Sequence, residues 1–193
     1  MMLIKAYRCI FLLAAMAVLA TGCGHKTAGY LDRMPALLDD PAFLADIQAS
    51  GPKGADGIII VAPASGLKGD DVKLVYAMAE KLGVRFPQEA IEPNAVPYNA
   101  NHDQTRLNLL IEALADPGAE VVWAVRGGYG SSRLLESLAK AGLPKKSGRK
   151  TFIGYSDMTF LHLYLQSKGW RTIHGGMFWE MSGVKNENNF RQL

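Results

Sequence analysis

Two stretches hold residue types that could do chemistry. In Gly154-Tyr-Ser-Asp157 a serine follows the apolar run Thr151-Phe-Ile153 and precedes a helical spacing of Phe160, Leu161, Tyr164 and Leu165. Ser156 is therefore expected where a strand breaks sharply into a helix. Such an elbow exposes a hydroxyl and aims the first helical N–H groups at whatever binds there. That geometry suits a nucleophile, although the spelling lacks the second glycine of Gly-x-Ser-x-Gly. A serine or aspartate there also serves to cap the helix, so both roles stay open for Ser156 and Asp157.

The second stretch, Arg126-Gly-Gly-Tyr-Gly130, follows the apolar run Val121-Val-Trp-Ala-Val125. Its glycines let the backbone approach a ligand closely, so the loop could cradle a phosphate or an oxyanion; a plain tight turn accounts for it equally. A dinucleotide fingerprint would need a third glycine where Arg133 stands, and the Gly-Lys-Ser/Thr of a P-loop is missing. A nucleophilic serine also needs a base within hydrogen-bond reach. The histidines are His25, His102, His162 and His174. His162, on the helix after Ser156, is expected to point elsewhere. His174, at a neighbouring strand end, is the local substitute for a base, or else a structural residue in a turn.

The elements that must position these residues alternate. Ile58-Ile-Ile-Val-Ala62 reads as a strand buried on both faces. Pro63-Ala-Ser-Gly66 turns the chain, and Asp70 and Asp71 open a helix that Gly83 ends. Val84-Arg-Phe86 reads as a short strand. Asp103 opens a second helix, with Leu107, Leu110, Ile111 and Leu114 as its buried stripe and Asp116-Pro-Gly118 as its stop. Ser131 or Ser132 is expected to cap a third helix carrying Leu134, Leu135 and Leu138. A last strand falls around Arg171 to His174. This order predicts an α/β fold with an open, mostly parallel, Rossmann-like sheet of about five strands, helices on both faces and Val125 and Ile153 near adjacent strand ends. Ligands in such sheets bind at the carboxyl ends of the strands, where both chemical stretches fall.

The chain has 193 residues, a net charge of +3 and two cysteines. Lys5 and Arg8 followed by the apolar run from Cys9 to Ala20 form a signal-peptide pattern, too short for a comfortable membrane span. Leu-Ala-Thr-Gly-Cys23 resembles a bacterial lipobox, which implies cleavage after residue 22 and lipid attachment to Cys23. The expectation is an exported lipoprotein, anchored to the membrane and facing the periplasm or cell exterior, with residues 23–56 as tether and packing arm. Two of the basic residues behind the net charge, Lys5 and Arg8, leave with the signal, so nothing points to a nucleic-acid partner. Cys9 would leave too and Cys23 would be acylated, which leaves no cysteine for a disulfide or a thiolate metal site.

Taken together and in order, Pro63-Ala-Ser-Gly66, Asp103-Gln-Thr-Arg106, Arg126-Gly-Gly-Tyr-Gly130, Gly154-Tyr-Ser-Asp157 and His174-Gly-Gly-Met177 resemble the LD-carboxypeptidase (muramoyltetrapeptide carboxypeptidase) family of serine peptidases, which includes the microcin C immunity proteins. The resemblance runs from about Gly57 to Met177. It implies a sheet of the class I glutamine-amidotransferase-like kind and a nucleophile domain over residues 57–180. It also implies cleavage of the bond before a terminal D-amino acid, typically the D-alanine of a murein tetrapeptide. Ser156 matches the family nucleophile, and the N–H groups of Gly128 and Asp157 would form the oxyanion hole. Arg126, Gly127 and Tyr129 would bind substrate. No metal or other cofactor is implied, and homodimerisation stays open. In the family a Glu and a His on a C-terminal domain complete the triad. Residues 181–193 read as the start of a linker to such a domain, so the chain by itself is expected to be impaired. The alternative is a module that binds a murein peptide or peptide antibiotic without cutting it. A nucleotide-binding domain on the same sheet type is a third reading.

Overall fold

The computed structural model describes residues 55–144 and 150–182, together with Pro41. The signal segment, Cys23, nearly all of the 23–56 arm and the 183–193 tail lie outside the described residues. The described residues form an α/β fold around one parallel sheet of four strands in the order β1-β2-β3-β4. These are β1 (Ile58–Val61), β2 (Val121–Ala124), β3 (Thr151–Gly154) and β4 (Arg171–His174). Ile58 faces Val121 across the first pair, Val121 faces Thr151 and Thr151 faces Arg171, so the strand starts are level. Every residue of β1, β2 and β3 is buried, as continuous apolar runs require when both faces of a parallel sheet are covered.

The period of two along each strand divides the core. Ile58, Ile60, Val121, Trp123, Val125 and Ile153 face one side, where α1 (Asp70–Leu82) packs Val75, Met78, Ala79 and Leu82. Ile59, Val61, Val122, Ala124 and Phe152 face the other. That side is covered by α2 (Asp103–Ala115), α3 (Leu135–Ala141) and α4 (Thr159–Ser167). On α4 the buried stripe is Leu161, His162 and Leu165, preceded by Met158. Phe160, expected on that stripe, is instead 46% exposed, because it lies about 150° round the helix from the stripe's axis, nearly opposite it.

The expected strand at Val84–Phe86 is reduced to one bridge. Arg85 pairs in parallel with Ile59, its N–H donating to Ile58 at 3.0 Å and its carbonyl accepting from Ile60 at 2.7 Å. Pro87, two residues on, has no N–H to extend the ladder. With Arg85 on the outer side of β1, the chain leaves β1 in one direction and returns to β2 in the other. The sheet thus reverses between β1 and β2, which opens a crevice at their carboxyl ends.

The amino ends of the strands are tied separately. Lys150, just before β3, is almost fully buried, and its ammonium donates to the carbonyls of Leu114 at 2.7 Å and Asp116 at 2.6 Å, the open end of α2. Asp116 also pairs with Arg85 at 2.5 Å. The hydrogen bond from Arg85 holds the Asp116 carboxyl below the ordinary range, against the opposing effect of burial.

Candidate active site

Four loops meet at the carboxyl edge of the sheet, one after each strand. Tyr155 continues β3 in extended conformation, and Ser156 then turns with φ of 59°, in the left-handed region that costs an L-residue roughly 1–2 kcal/mol. A short 3-10 turn, Ser156–Met158, leads into α4. The result is the expected strand-to-helix elbow, with Ser156 exposed at its tip. The cap positions of the 3-10 turn and of α4 fall on Tyr155 and Met158, neither of which makes a side-chain cap bond. The Asp157 carboxylate turns away and accepts the N–H of Ser131 at 2.8 Å.

The glycine loop after β2 lies against this elbow. A Cβ on Gly127 would stand 3.3 Å from Cβ of Ser156 and 3.0 Å from Cε of Met177, so the backbone of Gly127 packs closely against the elbow. Gly128 has φ of 101°, and a Cβ on it would fall 2.4 Å from Oγ of Ser65. Ser65, in the loop after β1, fixes the glycine loop from the other side. Its N–H donates to the carbonyl of Gly127 at 3.2 Å, and its Oγ accepts the N–H of Tyr129 at 3.0 Å. Among the described residues, neither the Gly128 N–H nor the Asp157 N–H is engaged by an acceptor. Tyr129 is 54% exposed, and Arg126 is half-buried with Nη1 on the carbonyl of Gly66 at 3.1 Å. Ser156, Gly127, Gly128 and Asp157 thus come together, with Arg126 and Tyr129 in the same loop.

Arg106 holds the loops in place. Its guanidinium is 2% exposed. It donates to the carbonyls of Pro63, of Asn101 at 3.1 Å and of Gly130 at 3.1 Å, and it pairs with Asp103 at 2.6 Å. One side chain therefore joins the loop after β1, the start of α2 and the loop after β2. Asp103 also pairs with Arg133 at 2.7 Å. Burial lifts the Asp103 carboxyl, but hydrogen bonds from Arg133 and Arg106 and their charges outweigh it and hold the group below the ordinary range. The sequence signal for Arg106 is a charged residue on the buried side of an otherwise apolar helix stripe.

The loop after β4 closes the fourth side. Gly175 donates to the carbonyl of Gly154 at 3.0 Å, and the indole of Trp123 donates to that of Gly176 at 2.7 Å. Glu180 receives the phenol of Tyr155 on one oxygen and the N–H of Met177 on the other at 3.0 Å. Burial, then the Glu180 carboxylate, pushes the Tyr155 phenol well above its ordinary pKa. Nothing in the sequence marked Glu180, and Ser131 stood out only as a candidate helix cap.

Two described histidines lie near the elbow. His162 is buried against Phe152, and its Nε2 donates to the carbonyl of Gly154 at 2.8 Å; since a carbonyl only accepts, Nε2 carries the proton. Burial holds its pKa below the ordinary value. His174 is exposed at the end of β4, its ring 6.1 Å from that of Tyr155 and 5.7 Å from that of His162. Among the described residues, no histidine or carboxylate hydrogen-bonds the Ser156 hydroxyl.

An exposed serine on a left-handed elbow, faced by a glycine loop across the carboxyl edge of a parallel sheet, has the form of the nucleophile elbow of α/β acyl-transfer enzymes. The chain belongs to the LD-carboxypeptidase family: residues 58–175 match the model of the LD-carboxypeptidase N-terminal domain. It is 40% identical over 141 residues to a Rickettsia prowazekii protein named "Putative carboxypeptidase RP402", covering 70% of this chain and 43% of that one. It is 31% identical over 118 residues to the murein tetrapeptide carboxypeptidase of Pseudomonas aeruginosa, covering 61% of this chain and 38% of that one. Among solved structures, an MccF-like protein of Streptococcus pneumoniae in complex with AMP superposes with a TM-score of 0.52 at 28% identity, over 67% of this chain and 40% of that one. The chain spans less than half the length of each of these relatives.

Proposed function

We propose that this chain carries the nucleophile half of a serine LD-carboxypeptidase that releases the terminal D-alanine of murein tetrapeptides. The observation that carries the proposal is the left-handed, exposed Ser156 with the backbone of Gly127 packed against it. The hydroxyl attacks the amide carbonyl preceding D-alanine and passes its proton to a base. The developing oxyanion is met by the N–H groups of Gly128 and Asp157, each worth about 10²–10³ in rate. Collapse breaks the C–N bond, the D-alanine amine takes up the proton, and water then hydrolyses the acyl-enzyme. Arg126 and Tyr129 border the cleft and hold the peptide. The base is the Glu–His pair that the family places on a C-terminal domain.

The experiment measures D-alanine released from L-Ala-γ-D-Glu-meso-diaminopimelyl-D-Ala. The polypeptide of residues 1–193 expressed alone is expected to release little or none. Adding a family C-terminal domain bearing Glu and His should restore release, and Ser156→Ala should abolish it again. Robust cleavage by the 193 residues alone would show that the base lies within them, with His174→Ala the next variant to test. A second reading, binding of a murein peptide or peptide antibiotic without cleavage, is supported by one observation: among the described residues no base hydrogen-bonds the Ser156 hydroxyl. Tight peptide binding with no turnover after the C-terminal domain is supplied would select it.

A further inference from the structure

Ser131 is fully buried, and both of its donors, the backbone N–H and the hydroxyl, go to one residue of another loop. Its N–H donates to Oδ2 of Asp157 at 2.8 Å and its hydroxyl donates to the carbonyl of Asp157 at 2.6 Å. The loops joined in this way are those that carry the two proposed oxyanion donors. Gly128 lies three residues before Ser131, and the other donor is the N–H of Asp157 itself. We propose that Ser131 and the Asp157 side chain form a clamp that fixes the spacing of the two N–H donors, so that both act as positioning residues and the Asp157 carboxylate transfers no proton. The inference rests on the reading of Ser156 as nucleophile.

The chemistry of the two bonds supports this. A carbonyl only accepts, so the Ser131 hydroxyl must donate, and an amide N–H must donate, so the carboxylate serves as an acceptor. An acceptor role requires an oxygen at that place and not a charge. The segments held also need holding. The glycine loop contains two left-handed glycines, Gly128 with φ of 101° and Gly130 with φ of 118°, and the elbow contains the left-handed Ser156. Glycines take either sign of φ freely, so the glycine loop needs outside contacts to fix it, and the left-handed Ser156 persists only when the surroundings over-determine it. Ser65 secures the glycine loop at Gly127 and Tyr129, which leaves the stretch beyond Tyr129 to Ser131 and Arg106. A donor displaced by 1 Å forfeits on the order of 10² in rate.

The test uses residues 1–193 supplied with the family C-terminal domain bearing Glu and His, the preparation expected to release D-alanine, and compares Ser131→Ala, Asp157→Ala and Asp157→Asn, with Ser156→Ala as reference. The clamp predicts that Ser131→Ala and Asp157→Ala each lower kcat about 10–100-fold with KM within about threefold, since the oxyanion contact exists only in the transition state. Asp157→Asn restores an acceptor oxygen and should regain most of what Asp157→Ala loses. Hydrogen exchange of residues 126–131 and 155–158 should rise together in Ser131→Ala, a readout independent of turnover. If Ser131→Ala does not fold, the Asp157→Ala and Asp157→Asn pair decides by the same two measurements. Wild-type kcat in Ser131→Ala, Asp157→Asn as slow as Asp157→Ala, or exchange unchanged in both segments would overturn the clamp. Turnover that survives Ser156→Ala would instead overturn the nucleophile reading, and the exchange data would still judge the clamp.

Discussion

Ser156 is one of two non-glycine residues in the left-handed region among the described residues, the other being Tyr98. On the proposed reading the nucleophile needs that turn to stand clear of the sheet, and the fold bears the strain. Strain kept for reactivity can be removed by a residue without Cβ. Ser156→Gly relieves roughly 1–2 kcal/mol of left-handed strain and adds about 0.4–1 kcal/mol of unfolded-state entropy. The expected outcome is a protein about 0.5–1 kcal/mol more stable, read by urea denaturation. Ser156→Ala keeps the strain and should unfold near the wild-type midpoint. A Ser156→Gly variant less stable than wild type would mean that the elbow is not strained.

At the scale of elements, the loops around Arg106 depend on one another. Removing its guanidinium strands the buried carbonyls of Pro63, Asn101 and Gly130 and leaves Asp103 to Arg133 alone. Arg106→Met should therefore cost about 3 kcal/mol or more, and Arg106→Lys should recover little, because an ammonium cannot reproduce the planar fork. A loss below about 1 kcal/mol in denaturant titration would remove the knot from the account. The same cluster sets an acid limit. The folded pKa of Asp103 lies below its unfolded value, so its contribution is fully present above the unfolded carboxylate range near 4. It is lost as pH falls through the lower folded pKa. Asp103→Asn should flatten stability against pH below about 4.

The sequence made the strands and helices legible because they are periodic. The apolar runs became β1, β2 and β3, and the helix starts at Asp70 and Asp103 are where the first-turn acids placed them. The elbow at Ser156 and its meeting with the glycine loop followed from placing two motifs at strand ends. What stayed hidden is aperiodic. Ser131 read as a helix cap, but its hydroxyl reaches a carbonyl 26 residues further on. Glu180 braces Tyr155 from 25 residues away, and Arg106 reaches Pro63 from 43 away. Such bonds reach across loops between residues far apart in sequence, and no local spacing announces them. The fifth strand failed for a local reason that was visible, since Pro87 follows Phe86 at once.

For the whole molecule, the described part is one sheet with a working edge, and none of its described helices is long and apolar enough to cross a membrane. A lipid anchor is proposed on separate grounds, the lipobox-like Leu-Ala-Thr-Gly-Cys23. Cys23→Ser should abolish labelling by a fatty-acid probe and shift the protein from the membrane fraction to the soluble one. A wild-type protein found unlabelled and soluble would remove the anchor.

The Lys150 and Arg85 ties sit at the amino ends of the strands, and Ser156 follows the carboxyl end of β3, a strand of four residues that spans about 13 Å. Sites so separated, with no shared partners, contribute additively. Mutations at the two edges should therefore show little epistasis. A lineage could drift at Arg85, Asp116 and Lys150 to suit its growth temperature while Gly127, Gly128 and Ser156 hold still, and a protein engineer could raise heat tolerance at one edge without retuning the other.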